Sequence, residues 1–257
     1  MALFTDGPVN GAADLQNYES GILNVASTEG IDVSVKSALA QSEIATELTL
    51  FLRRRFQMAD FQWTITVHRT IGLEDVVVTD PLRQWHAYKT LAFVYHDAYN
   101  NQLNDRYQGK WKTYAQLAKD SSRSFFQIGV GLVAGPIPKA PLPTLSTVVG
   151  TGGDGTFYVA TTWRVDSGEQ GSPSDMTRMT VGAGQQLVVG TGKAPANVTG
   201  WNAYVGVTPD SVTLQNTAPV AIGNTWTMTA GIIQGVPPGD GQTPTWFLVD
   251  DCVIGRG

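Results

Sequence analysis

Four prolines lie within eight residues near the middle of this 257-residue chain, from Pro136 to Pro143. Proline cannot continue a helix, and closely spaced prolines favour an extended, semi-rigid segment. Residues 1–143 contain 13 of the 17 Lys and Arg and 9 of the 28 Gly, whereas residues 144–257 contain the other 4 and 19. The sequence therefore predicts two domains with these bounds, joined by a proline-rich linker at 135–143.

The first domain has the apolar periodicity of α-helices. Asp14 and Asp32 can each cap the start of a helix, the pair Asp80-Pro81 is typical of a third start, and Gly129 can end a fourth helix. In the second helix, the stripe expected to face the core is Val35, Leu39, Leu48 and Leu52, widened by Ile44 and Phe51. The sequence predicts a small four-helix bundle.

The second domain has the pattern of short β-strands separated by Gly and Pro. The predicted strands are 156–165, 176–181, 186–189, 200–207 and 225–228. Because Cys252 is the only cysteine, an antibody-type disulfide is impossible, and the fibronectin type III style of sandwich is the closer comparison. The predicted fold class is a multidomain α + β protein, with an N-terminal helical bundle and a C-terminal all-β sandwich of fibronectin III or Ig-like type.

The charge balance argues against a protein that coats nucleic acid. The net charge is −5 and the pI is about 5.1, whereas neutralising phosphates requires a basic face. Charged residues make up 15% of the chain, below the roughly 25% of typical domains, so uncharged polar residues must cover much of the surface. No apolar run approaches the roughly 20 residues that span a bilayer, so we expect no membrane partner.

No motif indicates catalysis, a cofactor or a metal. The glycines at 150–155 match G-x-G-x-x-G, but a dinucleotide site needs a strand before this pattern and a helix after it. Here a proline-rich segment precedes it and a predicted strand follows. His68, His86 and His96 form no close ligand pair, since the last two lie almost three helical turns apart. We therefore predict that the protein is not an enzyme and has no catalytic, cofactor-binding or metal-binding residues.

One dense basic cluster, Arg53, Arg54 and Arg55, lies at the end of the second predicted helix. The three side chains cover about 200° of a helix, so they cannot all face a core. One interpretation is a solvated helix end, where cations interact favourably with the helix dipole. The other is an interface with an acidic partner or with DNA. The sequence leaves both open.

A second interface candidate lies near the C-terminus. After the break at 237–239 (Pro-Pro-Gly), Trp246, Phe247 and Leu248 form a short apolar run. Such a segment would promote aggregation if it were exposed, so we expect it to be covered. It can dock on a partner by adding a strand to a sheet edge, or it can complete its own sandwich. The sequence favours docking away from the sandwich core, because the run lies beyond the break.

Several stretches of the first domain resemble head–tail connector proteins of tailed bacteriophages, also called adaptor or neck proteins. They are Leu-Phe-Thr-Asp at 3–6, Tyr-Glu-Ser at 18–20, Asn-Val-Ala at 24–26, Glu-Gly-Ile-Asp at 29–32, and the hairpin sequence YNNQLNDRYQGKW at 99–111. The resemblance covers most of residues 1–143. The second half is similar to the fibronectin- or Ig-like modules of phage structural proteins and departs from the minimal all-helical adaptor.

This resemblance implies a structural virion protein without catalysis. The subunits would form a homo-oligomeric ring of about twelve copies, a dodecamer, closed by head-to-tail contacts. The ring would contact the portal protein on one side and a tail or nozzle protein on the other, in the neck of a virion assembled in the host cytoplasm. DNA would pass through the channel without sequence-specific binding, which a net acidic subunit favours. The alternative is a tail or fibre module whose β-sandwich recognises a receptor or a glycan.

Overall fold

A computed structural model of the chain describes residues 1–56, 71–101, 105–151, 153–229, 231–249 and 253–255. Contacts within the chain divide it into two compact units. The helical unit consists of residues 7–134 and 244–257, and the β unit consists of residues 1–6 and 135–243. The chain is thus an α + β protein, with helices in its N-terminal half and antiparallel sheets in its C-terminal half.

The helical unit begins with two short helices and continues with three long ones. They are α1 (Ala12–Leu15), α2 (Ile22–Glu29), α3 (Val33–Phe56), α4 (Asp80–Asn101) and α5 (Gln108–Ile128). Gly30 ends α2 in the left-handed conformation, with φ of 66°, which glycine adopts without steric cost. The Asp32 carboxylate accepts a hydrogen bond of 2.8 Å from the Ser34 backbone N–H and caps α3. The first predicted helix is divided into α1 and α2.

Helix α4 is the centre of the helical unit and packs against both α3 and α5. Its buried residues include Leu82, Trp85, Leu91 and Tyr95, four of the large side chains that fill the core. Ion pairs between α3 and α4 join Lys36 to Asp97 and Glu47 to Lys89. Because position 36 pairs with 97 and position 47 with 89, the two helices run antiparallel.

The buried face of α3 differs from the predicted one. Ala40, Ile44, Leu48 and Leu52 point into the core, whereas Val35 is 57% exposed and Leu39 is 45% exposed. The predicted stripe was therefore wrong for Val35 and Leu39. At about 100° per residue, these two side chains lie almost opposite Ile44 on the helix.

A small antiparallel sheet completes the helical unit. Its strands are β1 (Val130–Leu132), β10 (Trp246–Leu248) and β11 (Val253–Gly255), with β10 in the middle. Two glycines allow this pairing. A Cβ atom on Gly131 would lie 2.9 Å from the Pro244 side chain, and one on Gly129 would lie 2.8 Å from Val249. Both distances are shorter than carbon atoms tolerate, so glycine lets the C-terminal segment approach the chain after α5.

The β unit contains two antiparallel sheets. One consists of β2 (Thr144–Val149), β5 (Gln185–Gly190) and β9 (Trp226–Thr227), in the order β2-β5-β9. The strands of the other are β3 (Gly155–Arg164), β4 (Thr177–Val181), β6 (Gly200–Gly206), β7 (Thr213–Leu214) and β8 (Val220–Ala221). They have the order β4-β3-β6-β7, and β8 also pairs with β6. The predicted strands from 156 to 207 are confirmed to within a few residues.

The two sheets share one buried apolar cluster. Alternate residues of β3 and β6 point into it, as expected for strands with one buried face. The largest of these side chains are Phe157, Trp163 and Trp201, and β5 contributes Leu187 and Val189. Trp163 is paired directly with Trp201 across the strands. The two indoles therefore form a cross-strand aromatic pair at the centre of the unit.

The proline-rich segment 135–143 belongs to the β unit and does not act as a free spacer. Ile137 and Ala140 are buried in the shared apolar cluster. The Ile137 N–H donates a hydrogen bond of 2.6 Å to Oε1 of Gln242, and the Lys139 N–H donates one of 2.7 Å to Oδ1 of Asp6. The prolines keep the segment extended, and the N–H groups of Ile137, Lys139 and Ala140 bind partners inside the unit.

The units differ from the predicted domains 1–143 and 144–257 in three places. Residues 1–6 and 135–143 belong to the β unit, and residues 244–257 belong to the helical unit. In each case the pairing partner is distant in sequence. A boundary drawn from composition cannot locate such partners, because composition reports only the local chain.

Candidate functional site

The first candidate surface is the outward face of α3, formed by Val35, Leu39, Ser42, Thr46 and Leu50. These residues lie within about 80° of one another on the helix. All five are exposed, and Leu50 is 50% exposed. None of them carries a charge. Helix faces directed to solvent normally carry charged or polar side chains, so this face has the character of a contact surface.

The predicted basic cluster lies in the last turns of α3. Arg53 and Arg54 are exposed, whereas Arg55 is half-buried. The Arg55 guanidinium carbon lies 5.8 Å from the centre of the Phe51 ring, which is within cation–π distance. Arg54 points into a cleft beside α5. The three arginines therefore lie in three different environments, as the helical geometry required.

That cleft has a volume of about 440 Å³ and lies between the C-terminal halves of α3 and α5. Its lining includes Leu50, Phe51 and Arg54 of α3 and Arg123, Phe126 and Gln127 of α5. The Phe51 and Phe126 ring centroids are 4.8 Å apart. The cleft thus combines two guanidinium groups with a pair of packed aromatic rings.

Sequence reasoning missed Arg123 and the other cations of α5. Lys112, Lys119 and Arg123 are all exposed, and their spacing of seven and four residues places them on one helix face. This spacing was the signal in the sequence. Cations spaced seven and four residues apart are a weaker sequence signal than three consecutive arginines, so the sequence predicts an interface only for the α3 cluster. The outward face of α5 is therefore basic.

A polar network lies where α5 faces Glu19, and it was also missed. Lys110 Nζ donates a hydrogen bond of 2.6 Å to Oε2 of Glu19, and the Tyr114 hydroxyl donates one of 2.8 Å to the same oxygen. Burial by itself opposes the charge of this carboxylate, but the bonds from Lys110 and Tyr114 prevail and lower the pKa of Glu19. Burial, followed by the bond to Glu19, raises the pKa of Tyr114. The network holds an ion pair against the aromatic side chains of α4.

His86 is a buried, neutral histidine rather than a metal ligand. Its Nε2 lies 3.1 Å from the Ser37 carbonyl oxygen and its Nδ1 lies 3.0 Å from Nδ2 of Asn10. A carbonyl can only accept, so Nε2 carries the proton and Nδ1 accepts from Asn10. Burial lowers the pKa of His86 to about 4. His96 packs against Trp111, and His68 lies outside the described residues.

The C-terminal candidates Trp246, Phe247 and Leu248 form strand β10 of the helical unit. They pair with Leu132, Gly131 and Val130 of β1, respectively. Leu248 is buried, whereas Trp246 and Phe247 are half-buried. The segment thus adds a strand to the sheet of the helical unit of its own chain. It does not complete the predicted sandwich.

Comparison of the chain with protein-family models, with curated proteins and with solved structures found no match. Within the described parts of the chain, no helix is long and apolar enough to cross a membrane. The same parts contain no group of three His, Cys, Asp or Glu side chains that could hold a metal ion.

Proposed function

We propose that this chain is a structural virion protein, a head–tail adaptor whose subunits form a ring between the portal protein and the tail of a bacteriophage. The observation that carries the proposal is the outward face of α3, from Val35 to Leu50. Its five residues include three large apolar side chains and no charged one, and Glu43 and Arg53 are exposed beside it. A subunit that always has neighbours in a ring needs such a face.

A closed ring is built from heterologous contacts, in which one surface of a subunit meets a different surface of the next. Burying the face of α3 on a neighbour would remove Val35, Leu39 and Leu50 from water. Apolar burial is the main favourable term in association. The face is about four helical turns long, which suits lateral packing against an elongated neighbour.

The β unit and the net charge of the chain also fit roles in a neck. We propose that the β unit is a fibronectin III- or Ig-like sandwich, since its two antiparallel sheets share one apolar cluster. In the neck, this module would brace the ring or contact a tail component. The net charge of −5 favours a channel that lets DNA pass without holding it, because acidic walls repel phosphates.

Mass photometry of the purified chain, alone and mixed with the portal protein of the same virus, tests the proposal. The native chain is expected to form rings of uniform mass, and Leu39→Glu/Leu50→Glu is expected to remain at the 27.6 kDa of one chain. The matched control is Leu142→Glu/Val236→Glu, which adds the same charges at two exposed positions of the β unit. A native chain that stays monomeric under both conditions would contradict the proposal, as would rings formed by the α3 variant.

A further inference from the structure

We propose that the cleft between the C-terminal halves of α3 and α5 binds an acidic segment of a partner protein, in which carboxylates flank an apolar side chain. This binding site goes beyond the adaptor function and does not depend on a ring. Every residue that carries the inference lies within one helical unit of a single subunit.

Cationic side chains provide the first part of the argument. Arg54 and Arg123 line the cleft from its two helices. Arg53 precedes Arg54 and is exposed, and Lys119 is exposed one turn before Arg123. A guanidinium group binds a carboxylate through two parallel N–H donors. In a chain with a net charge of −5, this concentration of cations favours an anionic ligand.

The nearby carboxylates do not neutralise this surface. Glu47 borders the cleft, but it pairs with Lys89 at 2.8 Å, and Lys89 also pairs with Glu43 at 3.0 Å. Asp120 lies 3.6 Å from Arg123, with both side chains about half exposed. An exposed pair of this kind is weak, so Arg123 can exchange it for an external carboxylate. Among the side chains that line the cleft, two are cations, Arg54 and Arg123, and one is a carboxylate, Glu47.

The apolar floor decides which class of anion fits best. Phe51 and Phe126 line the cleft and pack against each other, and they form its apolar floor. Duplex DNA presents phosphates but no apolar side chain that could pack on these two rings. A peptide supplies both kinds of group, with a carboxylate for each arginine and an aromatic or aliphatic side chain for the floor. The observations therefore favour a peptide over a nucleic acid.

Fluorescence anisotropy with three labelled peptides of roughly ten residues tests the site on the full-length protein. One peptide alternates aspartate with phenylalanine, one aspartate with serine, and one asparagine with phenylalanine. We expect the first peptide to bind with a Kd about tenfold lower than either of the others. Arg54→Gln/Arg123→Gln should raise that Kd about tenfold, because both guanidinium partners are lost. The control Arg178→Gln/Lys193→Gln removes two exposed cations of the β unit and should leave it unchanged.

Three results would overturn the proposal. Equal affinity for the serine and phenylalanine peptides would remove the role of the apolar floor. An unchanged Kd in Arg54→Gln/Arg123→Gln would place binding elsewhere. Tighter binding of a labelled DNA duplex, lost in the same variant, would make the site a nucleic-acid site. Because the assay does not require assembly, failure of the ring and failure of this site give different results.

Discussion

Helices α3 and α5 both pack on α4, but they expose different surfaces. The face of α3 formed by Val35, Leu39, Ser42, Thr46 and Leu50 is uncharged, with Glu43 and Arg53 exposed beside it, whereas α5 exposes Lys119 and Arg123. Salt screens the attraction between exposed charges, with a Debye length of about 8–10 Å near physiological ionic strength. It does not screen apolar contacts, which depend on the removal of apolar surface from water. One small unit therefore offers two surfaces that ionic strength can distinguish.

The inner faces of the two helices also differ. Helix α3 turns Ala40, Ile44 and Leu48 to the core, and its Ser37 carbonyl accepts a hydrogen bond from the neutral His86. Helix α5 instead contributes Lys110 to an ion pair with Glu19. The comparison shows that α3 meets α4 through an apolar contact with ion pairs beside it, whereas α5 packs aromatic rings on α4 and forms its ion pair with Glu19, which lies before α2. The following predictions test this difference.

The largest effect is expected from truncating the inner face of α3. Leu48 is fully buried, whereas Leu39 is 45% exposed on the same helix. Leu48→Ala should lower the free energy of unfolding by about 4 kcal/mol, because it removes buried methyl groups and leaves a cavity. Leu39→Ala should change it by less than about 0.5 kcal/mol. Urea denaturation at concentrations where the native chain is monomeric measures both values, and equal losses would show that the two faces are wrongly assigned.

A smaller effect is expected from the protonation of His86. Its pKa falls from 6.5 to about 4 on folding, so the unfolded chain binds this proton more readily than the folded chain. Stability should therefore be full above pH 6.5 and should decrease by roughly 3 kcal/mol as the pH falls to about 4. Protonation of Nδ1 would also break the hydrogen bond from Asn10. Urea denaturation at a series of pH values measures the slope, that is, the change in the free energy of unfolding with pH.

The variant His86→Gln provides the control for that slope. It should be less stable than the native chain at pH 7, because the ring and its bonds are lost, but its stability should vary much less between pH 6.5 and pH 4. A native chain whose stability is constant over this interval would mean that water reaches His86, and the inner face of α3 would then be open.

The start of α3 could be predicted from sequence, but the direction of its faces could not. Asp32 and the long apolar run located the helix, because capping is a local interaction. Apolar residues occur on both sides of α3, with Leu39 and Leu50 outside and Ile44 and Leu48 inside. Periodicity alone cannot choose between such faces. The choice depends on α4, whose position is a tertiary property.

The C-terminal strand illustrates the same limit. Its apolar character at Trp246–Leu248 was evident and predicted a covered segment. Its partner, Val130–Leu132, lies more than a hundred residues earlier in the chain, and no local pattern connects the two. The cleft residue Arg123 was missed for a related reason, because its significance depends on Arg54 of another helix. Local signals predicted the elements, and long-range packing determined the sites.

The smallest effect is expected from the ion pair on the inner side of α5. Glu19 is mostly buried, with 15% of its side chain exposed, whereas Lys110 is about half exposed. The folded chain lowers the pKa of Glu19, so this carboxylate stabilises the fold above its ordinary pKa of about 4.3, and the contribution is lost as the pH falls below that value.

Glu19→Gln should lower the free energy of unfolding at pH 7 by about 1–2 kcal/mol, since water partly screens the pair. The same variant should lose less stability than the native chain below about pH 4.3. It should still lose the stability that protonation of His86 removes between pH 6.5 and pH 4. Ser121→Ala, at a half-buried position of α5, serves as the control and should change stability by less than about 0.5 kcal/mol. If Glu19→Gln were as stable as the native chain at pH 7, the Lys110–Glu19 pair would add nothing to the stability that packing gives α5. The two helices would then differ in the side chains they present but not in how those side chains stabilise the fold.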